Sequence, residues 1–338
     1  MNRVSVLLTG ATGYLGGHLA EYLSTRSDIK LRCLVRPRTD RRDEPLKNLN
    51  AEVFYGDLLR PDSYEAALEG IDVVIHAATF ATLYNHAEEE KSLFYEPTKK
   101  LIKRCIDKRV RRFIFASGAG VLGFGVQGGK ESLPRRPLSF WPHQNILIKI
   151  EELLERYQRE IKIETVIIRP GIYIGKGGGD HSMVIGIAKG LKEKQLPYIQ
   201  GGKAIISVVS LKDVAEVFYL SAISKNAAGQ IYHISSGEKV TMKEIIDFIA
   251  DGLNYERPKK DIPILMAKTT GFFMEIMSRL TKKEPLICRT MASMAGKDLH
   301  ISIDKAVREL GFKPEYPWRD ALEKNLNWYK GEYQKWER

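Results

Sequence analysis

Cysteine is scarce in this chain: Cys33, Cys105 and Cys288 stand far apart among 338 residues. That spacing excludes a disulfide-built scaffold and the paired-cysteine pattern of a structural zinc site, and the sequence predicts no metal centre. Three dispersed thiols fit buried positions in a reducing compartment. Long hydrophobic runs are also missing. No apolar stretch reaches the ~20 residues that a membrane-spanning helix needs. Met1-Asn2-Arg3-Val4 passes directly into a strand-like run, with no room for a signal peptide. The expectation is a cytoplasmic protein with no membrane span. Low-complexity tracts and short-period repeats are absent too, which argues against disordered and solenoid classes.

Charge is present in excess of one sign: 53 Lys and Arg against 42 Asp and Glu, a net +11. The basic residues are densest over positions 99–112. There Leu101, Ile102, Cys105, Ile106 and Val110 recur at helical spacing, so the cations fall on the solvated face of an amphipathic helix rather than in a polyanion site. No nucleic-acid partner is expected.

Strand-like apolar runs at 4–8, 31–35, 52–55, 73–77, 112–116 and 165–168 alternate with helical patterns at 15–25, 62–68, 99–110 and 145–158. This alternation predicts an α/β fold: a Rossmann-type doubly wound parallel sheet covered on both faces, with its ligand crevice at the carboxyl ends of the strands. Past Gly175 the rhythm breaks. The expected organisation is a nucleotide-binding domain over 1–175, its sheet completed from 205–235 by a strand at 230–234. Residues 176–204 and 236–330 then form a smaller mixed C-terminal substrate-binding region.

Between the first strand and first helix lies Thr9-Gly10-Ala11-Thr12-Gly13-Tyr14-Leu15-Gly16. Gly10 lets the chain turn off the strand, Gly13 admits a pyrophosphate to the backbone, and Gly16 lets the helix pack on the sheet. The second strand ends in Arg36-Pro37-Arg38, with no carboxylate to accept from a ribose 2′-hydroxyl. Arg36 and Arg38 suit a 2′-phosphate, so NADP is the expected cofactor, with NAD as the alternative. Asp57, in Gly56-Asp57-Leu58, reads either as a contact at the adenine edge or as a turn cap.

These motifs occur in order with Val74-Ile75-His76-Ala77-Ala78, Arg169-Pro170-Gly171, Val209-Ser210-Leu211-Lys212-Asp213-Val214-Ala215 and a closing segment at 304–314. Taken together, they make the chain resemble the extended short-chain dehydrogenase/reductase family. The resemblance is closest in flavour to its 3β-hydroxysteroid dehydrogenase and dihydroflavonol reductase branch, or to the related nucleotide-sugar epimerases. It implies a cofactor-binding set of Gly10, Thr12, Gly13, Tyr14, Leu15, Gly16, Arg36, Asp57, Leu58, Ala77, Ala78, Lys149 and Pro170. It also implies a Tyr-x-x-x-Lys pair, whose tyrosine exchanges a proton with substrate while the lysine lowers the tyrosine pKa and grips the nicotinamide ribose. In this sequence the pair reads Asn145 and Lys149. The substrate-orienting Ser falls at Gly118, beside Ser117, and a supporting Asn falls at Phe94.

An amide does not titrate near neutral pH, so Asn145 can hold a carbonyl oxygen but cannot donate the proton. His143, Tyr84 and Tyr173 are the candidate replacement acids. The Met- and Phe-rich stretch 262–280 reads as a core helix or as a lipophilic substrate wall. Gly177-Gly178-Gly179 reads as a mobile lid or a flexible connection. In family members, helices matching those near 99–109 and 145–158 pair across a homodimer. Three functions compete: an oxidoreductase on a small hydrophobic hydroxyl or keto substrate with a non-standard site, a redox-silent NAD(P)-binding sensor or assembly protein, and a nucleotide-sugar epimerase or dehydratase.

Overall fold

The computed structural model describes residues 3–37, 43–161, 163–178 and 182–333. Seven strands form one sheet: β1 (Val4–Thr9), β2 (Ile29–Val35), β3 (Ala51–Tyr55), β4 (Val73–His76), β5 (Arg112–Ala116), β6 (Glu164–Pro170) and β7 (Gln230–Ile234). Their order is β7-β6-β5-β4-β1-β2-β3, with every neighbouring pair parallel. The chain winds outward in both directions from the β1/β4 seam, and a crevice belongs at the strand ends there. This is the doubly wound Rossmann-type sheet that the sequence predicts.

Alternation along the strands supplies two cores. Leu8, Ile75, Ile114 and Val166 point to one face, and their neighbours Leu7, Val74, Phe113 and Ile167 point to the other. A strand buried on both faces has no polar side, which is why these runs read as continuously apolar. Helices α1 (Tyr14–Ser24) and α5 (Leu211–Ile223) cover the first face. Helices α2 (Glu96–Asp107) and α3 (Pro142–Glu160) cover the second. The helix expected over 62–68 is instead two 3-10 turns, Pro61–Ser63 and Glu65–Leu68. At the C-terminal end of α2 the cations are answered by carboxylates: Arg104 meets Asp62 and Glu65, and Lys108, just past the helix, meets Glu65 and Glu69.

The C-terminal part contributes α4 (Met183–Lys192), α6 (Met242–Leu253), α7 (Ile264–Thr281), α8 (Arg289–Gly296), α9 (Asp304–Leu310) and α10 (Trp318–Trp328). Helices α4, α6 and α10 close a third apolar cluster. A small four-stranded sheet joins Val126–Gly129 to Ile205–Ile206, Val240–Thr241 and Leu299–Ile301, so both parts of the chain share it. Helix α7 is not the core helix of the first sequence reading. Its buried residues are Ala267, Gly271 and Glu275, four apart along one edge, and most of its large apolar side chains are exposed.

Two histidines are buried as neutral rings. Pairing of β1 with β4 sets Thr9 beside His76. His76 Nδ1 bonds the Thr9 hydroxyl at 2.7 Å and Nε2 bonds that of Thr98 at 2.9 Å. His233 donates from Nδ1 to the Gly129 carbonyl at 3.1 Å and accepts from Arg169 at Nε2. Burial pushes His76 down to about 3, and burial with the nearby Arg169 charge pushes His233 down to about 4. A depressed folded-state value means that the unfolded chain takes the proton first. The stabilisation is complete above the ordinary 6.5 and is lost as pH falls from there toward about 3 for His76 and about 4 for His233. Each ring is expected to cost about 2 kcal/mol by about pH 5. Urea unfolding at about pH 7.5 and about pH 5 checks this: His76→Asn and His233→Asn should each flatten the slope, and equal wild-type stability at both pH values would refute it.

Candidate functional site

The glycine turn fits a dinucleotide. Gly10 adopts φ +76°, and a Cβ there would lie 2.6 Å from the Ala78 backbone nitrogen, so the turn passes directly under the chain leaving β4. A Cβ on Gly16 would strike the Gly10 carbonyl at 1.9 Å, so the first turn of α1 can close on the loop only with glycine. Gly13 is exposed at the N-cap of α1, no side chain caps that helix, and its first turn carries no carboxylate. Free backbone N–H groups at the positive end of a helix dipole match a pyrophosphate. Thr12 and Tyr14 are half-buried beside them and Leu15 packs into the core.

Beyond β2, Arg36 is exposed, and Arg38 lies outside the described residues. Asp57 Oδ1 accepts from the Leu59 backbone N–H at 3.0 Å, so one carboxylate oxygen does cap its own turn. Leu58, Ala77 and Ala78 are half-buried near the strand ends, while Pro170 is buried at the end of β6. The Tyr14 hydroxyl donates to the Gly175 carbonyl at 2.9 Å, and the Tyr14 ring lies under Gly177 and Gly178. The glycine segment is thus held against the mouth of the turn by an aromatic ring; Gly179 lies outside the described residues.

The face that α3 turns to the sheet is set by one buried carboxylate. Arg169, at the end of β6, donates to Glu151 through Nε at 2.9 Å and Nη2 at 2.5 Å. Arg135 Nε adds a bond at 2.6 Å, and the Ser117 hydroxyl donates at 2.6 Å. Burial pushes the Glu151 carboxyl up, but the bonds and charge of Arg169, with Arg135 and Ser117, outweigh it and hold the group below its ordinary range. Residues four apart share a helix face, so Leu147 and His143 follow Glu151 toward the sheet. A Cβ on Gly118 would lie 3.9 Å from Leu147 Cδ1, in ordinary contact.

In this register two of the expected site residues stand on the far side of the helix. Lys149 stands two positions from Glu151, on the opposite side of the helix, and is exposed to solvent. Asn145 shares that far side, where its amide donates to the Leu138 carbonyl at 3.0 Å. Neither faces Gly118. The Ser117 hydroxyl is committed to Glu151. Tyr84 lies against Ser278 of α7 and edge-on to His86 at 5.8 Å; burial raises its hydroxyl above the ordinary range. Tyr173 packs edge-on against Tyr14 at 5.8 Å, and burial raises it as well.

His143 is paired with a buried carboxylate. Its Nδ1 lies 3.0 Å from Oε2 of Glu90, a fully buried carboxylate. Oε1 of Glu90 accepts from the backbone N–H of Thr82 at 3.0 Å and from its hydroxyl at 2.8 Å. An Nδ1–H on His143 can donate to Oε2, the Glu90 oxygen that Thr82 does not bond. Phe94 stacks on the imidazole with centroids 5.7 Å apart and planes 22° apart, and Trp141 donates to the Thr82 carbonyl at 3.1 Å. Glu90 carried no sequence signal, because Glu88, Glu89 and Glu90 are adjacent and only burial separates the third. Among the described residues no cluster of His, Cys, Asp or Glu could hold a metal.

Fold and glycine turn together define a dinucleotide-binding α/β protein. The description "NAD dependent epimerase/dehydratase family" matches residues 6–235, and the chain belongs to that family, of the extended short-chain dehydrogenase/reductase type. It is 27% identical over 331 residues to sterol-4-alpha-carboxylate 3-dehydrogenase, decarboxylating, of Bos taurus, covering 94% of this chain and 90% of that relative. It is 28% identical over 320 residues to UDP-glucose 4-epimerase of Vibrio cholerae, covering 92% and 90%. The crystal structure of Thermus thermophilus UDP-glucose 4-epimerase in complex with NAD superposes with a TM-score of 0.76 at 21% identity, covering 97% of this chain and all of that one.

Removing the charge that sets the α3 register should be costly. Glu151→Gln leaves the buried Arg169 guanidinium without its counter-charge and should cost about 3–5 kcal/mol in urea unfolding. Adding Arg169→Met should recover part of that loss; a single variant as stable as wild type would show that the pair does not hold the helix.

Proposed function

We propose that this protein is an NAD(P)-dependent oxidoreductase acting on a hydrophobic hydroxyl or keto substrate, with His143, oriented by Glu90, as its acid–base group. The observation that carries this reading is the His143–Glu90 pair on the helix face fixed by Glu151. The family's tyrosine hydroxyl ordinarily titrates near 10 and needs a neighbouring cation to work at neutral pH. A histidine acid–base group does not depend on such a cation. Leu147 on the same face, in place of a cation, is compatible with a histidine and not with a tyrosine.

A bound NAD(P) supplies the group that accepts or gives the hydride. His143 Nε2 takes the proton of a substrate hydroxyl as it is oxidised, or returns it to a carbonyl oxygen as that is reduced. Glu90 keeps the proton on Nδ1 and balances the imidazolium that forms, which makes it a positioning residue. Phe94 and Trp141 give the surroundings an apolar character suited to a lipid-like substrate, and the similarity to a sterol dehydrogenase points the same way. The redox-silent alternative draws on Leu147 as well, because a leucine cannot grip a ribose.

Hydroxy- and keto-steroids with NADP(H) test the reading. His143→Phe, which keeps a stacking ring on Phe94, should lower kcat about 10²–10⁴-fold with unchanged cofactor affinity. Glu90→Gln should lower it less, while Asn145→Ala and Lys149→Ala leave it unchanged. Loss of turnover in Lys149→Ala, or full turnover in His143→Phe, would overturn the assignment. Tight cofactor binding with no turnover on any substrate would favour the redox-silent reading.

Arg36 supports NADP as the cofactor, because the end of β2 offers a cation where an NAD site usually carries a carboxylate. Arg36→Ala should weaken NADPH binding about tenfold and leave NADH binding unchanged. Equal effects on both cofactors would assign Arg36 to the surface only.

A further inference from the structure

Helix α7 presents an inverted amphipathic pattern. Ala267, Gly271 and Glu275 form its buried edge against α8. Leu265, Met266, Phe272, Phe273, Ile276, Met277 and Leu280 all lie outside, with Leu265, Phe273 and Leu280 at 75%, 60% and 74% exposed. At 100° per residue these seven fall within one sector of about 140°, and the only polar residue inside it is Thr269. Eighteen residues make a stripe about 27 Å long. A contiguous apolar surface of this kind marks a binding face rather than scattered surface residues.

One margin of the stripe is cationic. Lys268 and Arg279 border one side, and Lys282 and Lys283 follow the helix end. Of the two acidic residues in 264–284, Glu275 is buried and neutralised by Arg289 at 2.6 Å, so Glu284 is the one exposed carboxylate against four cations. Arg289 also lies 5.1 Å over the Phe272 ring and Lys268 5.6 Å over Phe140, which keeps both cations at the apolar edge. Two copies meeting on this face across a two-fold axis would set like charge against like charge. An anionic lipid surface takes the apolar side chains and answers the cations together.

We infer that the exposed face of α7 is an interfacial anchor, which lays the protein on an anionic phospholipid surface with the helix in the membrane plane. No helix among the described residues is long and apolar enough to cross a membrane, so the attachment is to one leaflet. Tyr84 lies against Ser278, and Asn85 Oδ1 accepts from Arg279 Nε at 2.9 Å. The anchor therefore adjoins the loop that leads from β4 to Glu90. A lipid-dissolved substrate would meet the protein beside that loop without crossing bulk water. The anchoring itself does not depend on the reaction proposed above.

Flotation of the full chain with vesicles tests it, using phosphatidylcholine alone and an equal mixture with phosphatidylglycerol. The wild type should float with the mixed vesicles, less with the neutral ones, and less at high salt. Phe273→Ser combined with Met277→Ser and Leu280→Ser changes only exposed side chains. This variant should keep the wild-type circular dichroism and NADP(H) affinity while its vesicle-bound fraction falls at least about tenfold. Lys282→Glu with Lys283→Glu should lose the preference for anionic vesicles. Absence of flotation with both vesicle types, or flotation unchanged in the triple-serine variant, would overturn the inference. So would a wild-type dimer in sedimentation velocity that the triple-serine variant breaks, since the face would then belong to a second copy.

Discussion

The ion pair between Glu151 and Arg169 decides what the crevice of this protein contains. A carboxylate and a guanidinium with essentially no solvent contact tolerate only the geometry in which each satisfies the other, because separating them leaves a buried charge uncompensated. Arg169 is fixed by β6, so Glu151 must face that strand, and α3 can rotate only as far as the pair allows. Ser117 at the end of β5 and Arg135 in the loop before α3 complete the carboxylate's bonds and tie two more segments to the same point. The helix then has no freedom in choosing which residues meet the strand ends. They are the ones four and eight positions before Glu151, Leu147 and His143.

The parts of the molecule governed by short-range chemistry were legible in the sequence. The glycine turn is one: only glycine permits the positive φ at Gly10 and the contact of Gly16 with the Gly10 carbonyl, so three glycines between strand and helix carry their own explanation. The parallel sheet is another, because strands buried on both faces leave unbroken apolar runs. The rotation of α3 was not legible in the same way. A lysine at a matching spacing drew Lys149 into the site by residue type, whereas its position is set by a partner of Glu151 some eighteen residues further along the chain. Nor could adjacent letters separate Glu90 from Glu88 and Glu89, since its burial depends on Thr82 and His143 arriving from other segments.

Helix α7 shows the same limit from the opposite side. Hydrophobic periodicity reports that an apolar stripe exists and gives no direction for it. A stripe facing a core and a stripe facing outward have one period and one composition. The telling residues are on the other edge: Ala267 and Gly271 are small enough for close packing against α8, and Glu275 meets Arg289 there. Small residues and a matched charge make a tight protein contact, and the large side chains are then left for something else. A core helix would have been built the other way round.

The contents of the crevice follow a consistent electrostatic logic. A tyrosine used as an acid near neutral pH requires a cation beside it, and that cation must stay solvated or paired. An imidazole in that role requires instead an acceptor to fix its tautomer and balance its charge. Glu90 meets that need, and its remaining oxygen is satisfied by Thr82. Substituting a lysine at position 147 would place a second cation near any imidazolium formed at His143 and oppose its protonation. A leucine there removes that conflict and packs against Gly118. Under the proposed function the His143–Glu90 pair and Leu147 form one arrangement, and Asn145 lies on the far side of the helix.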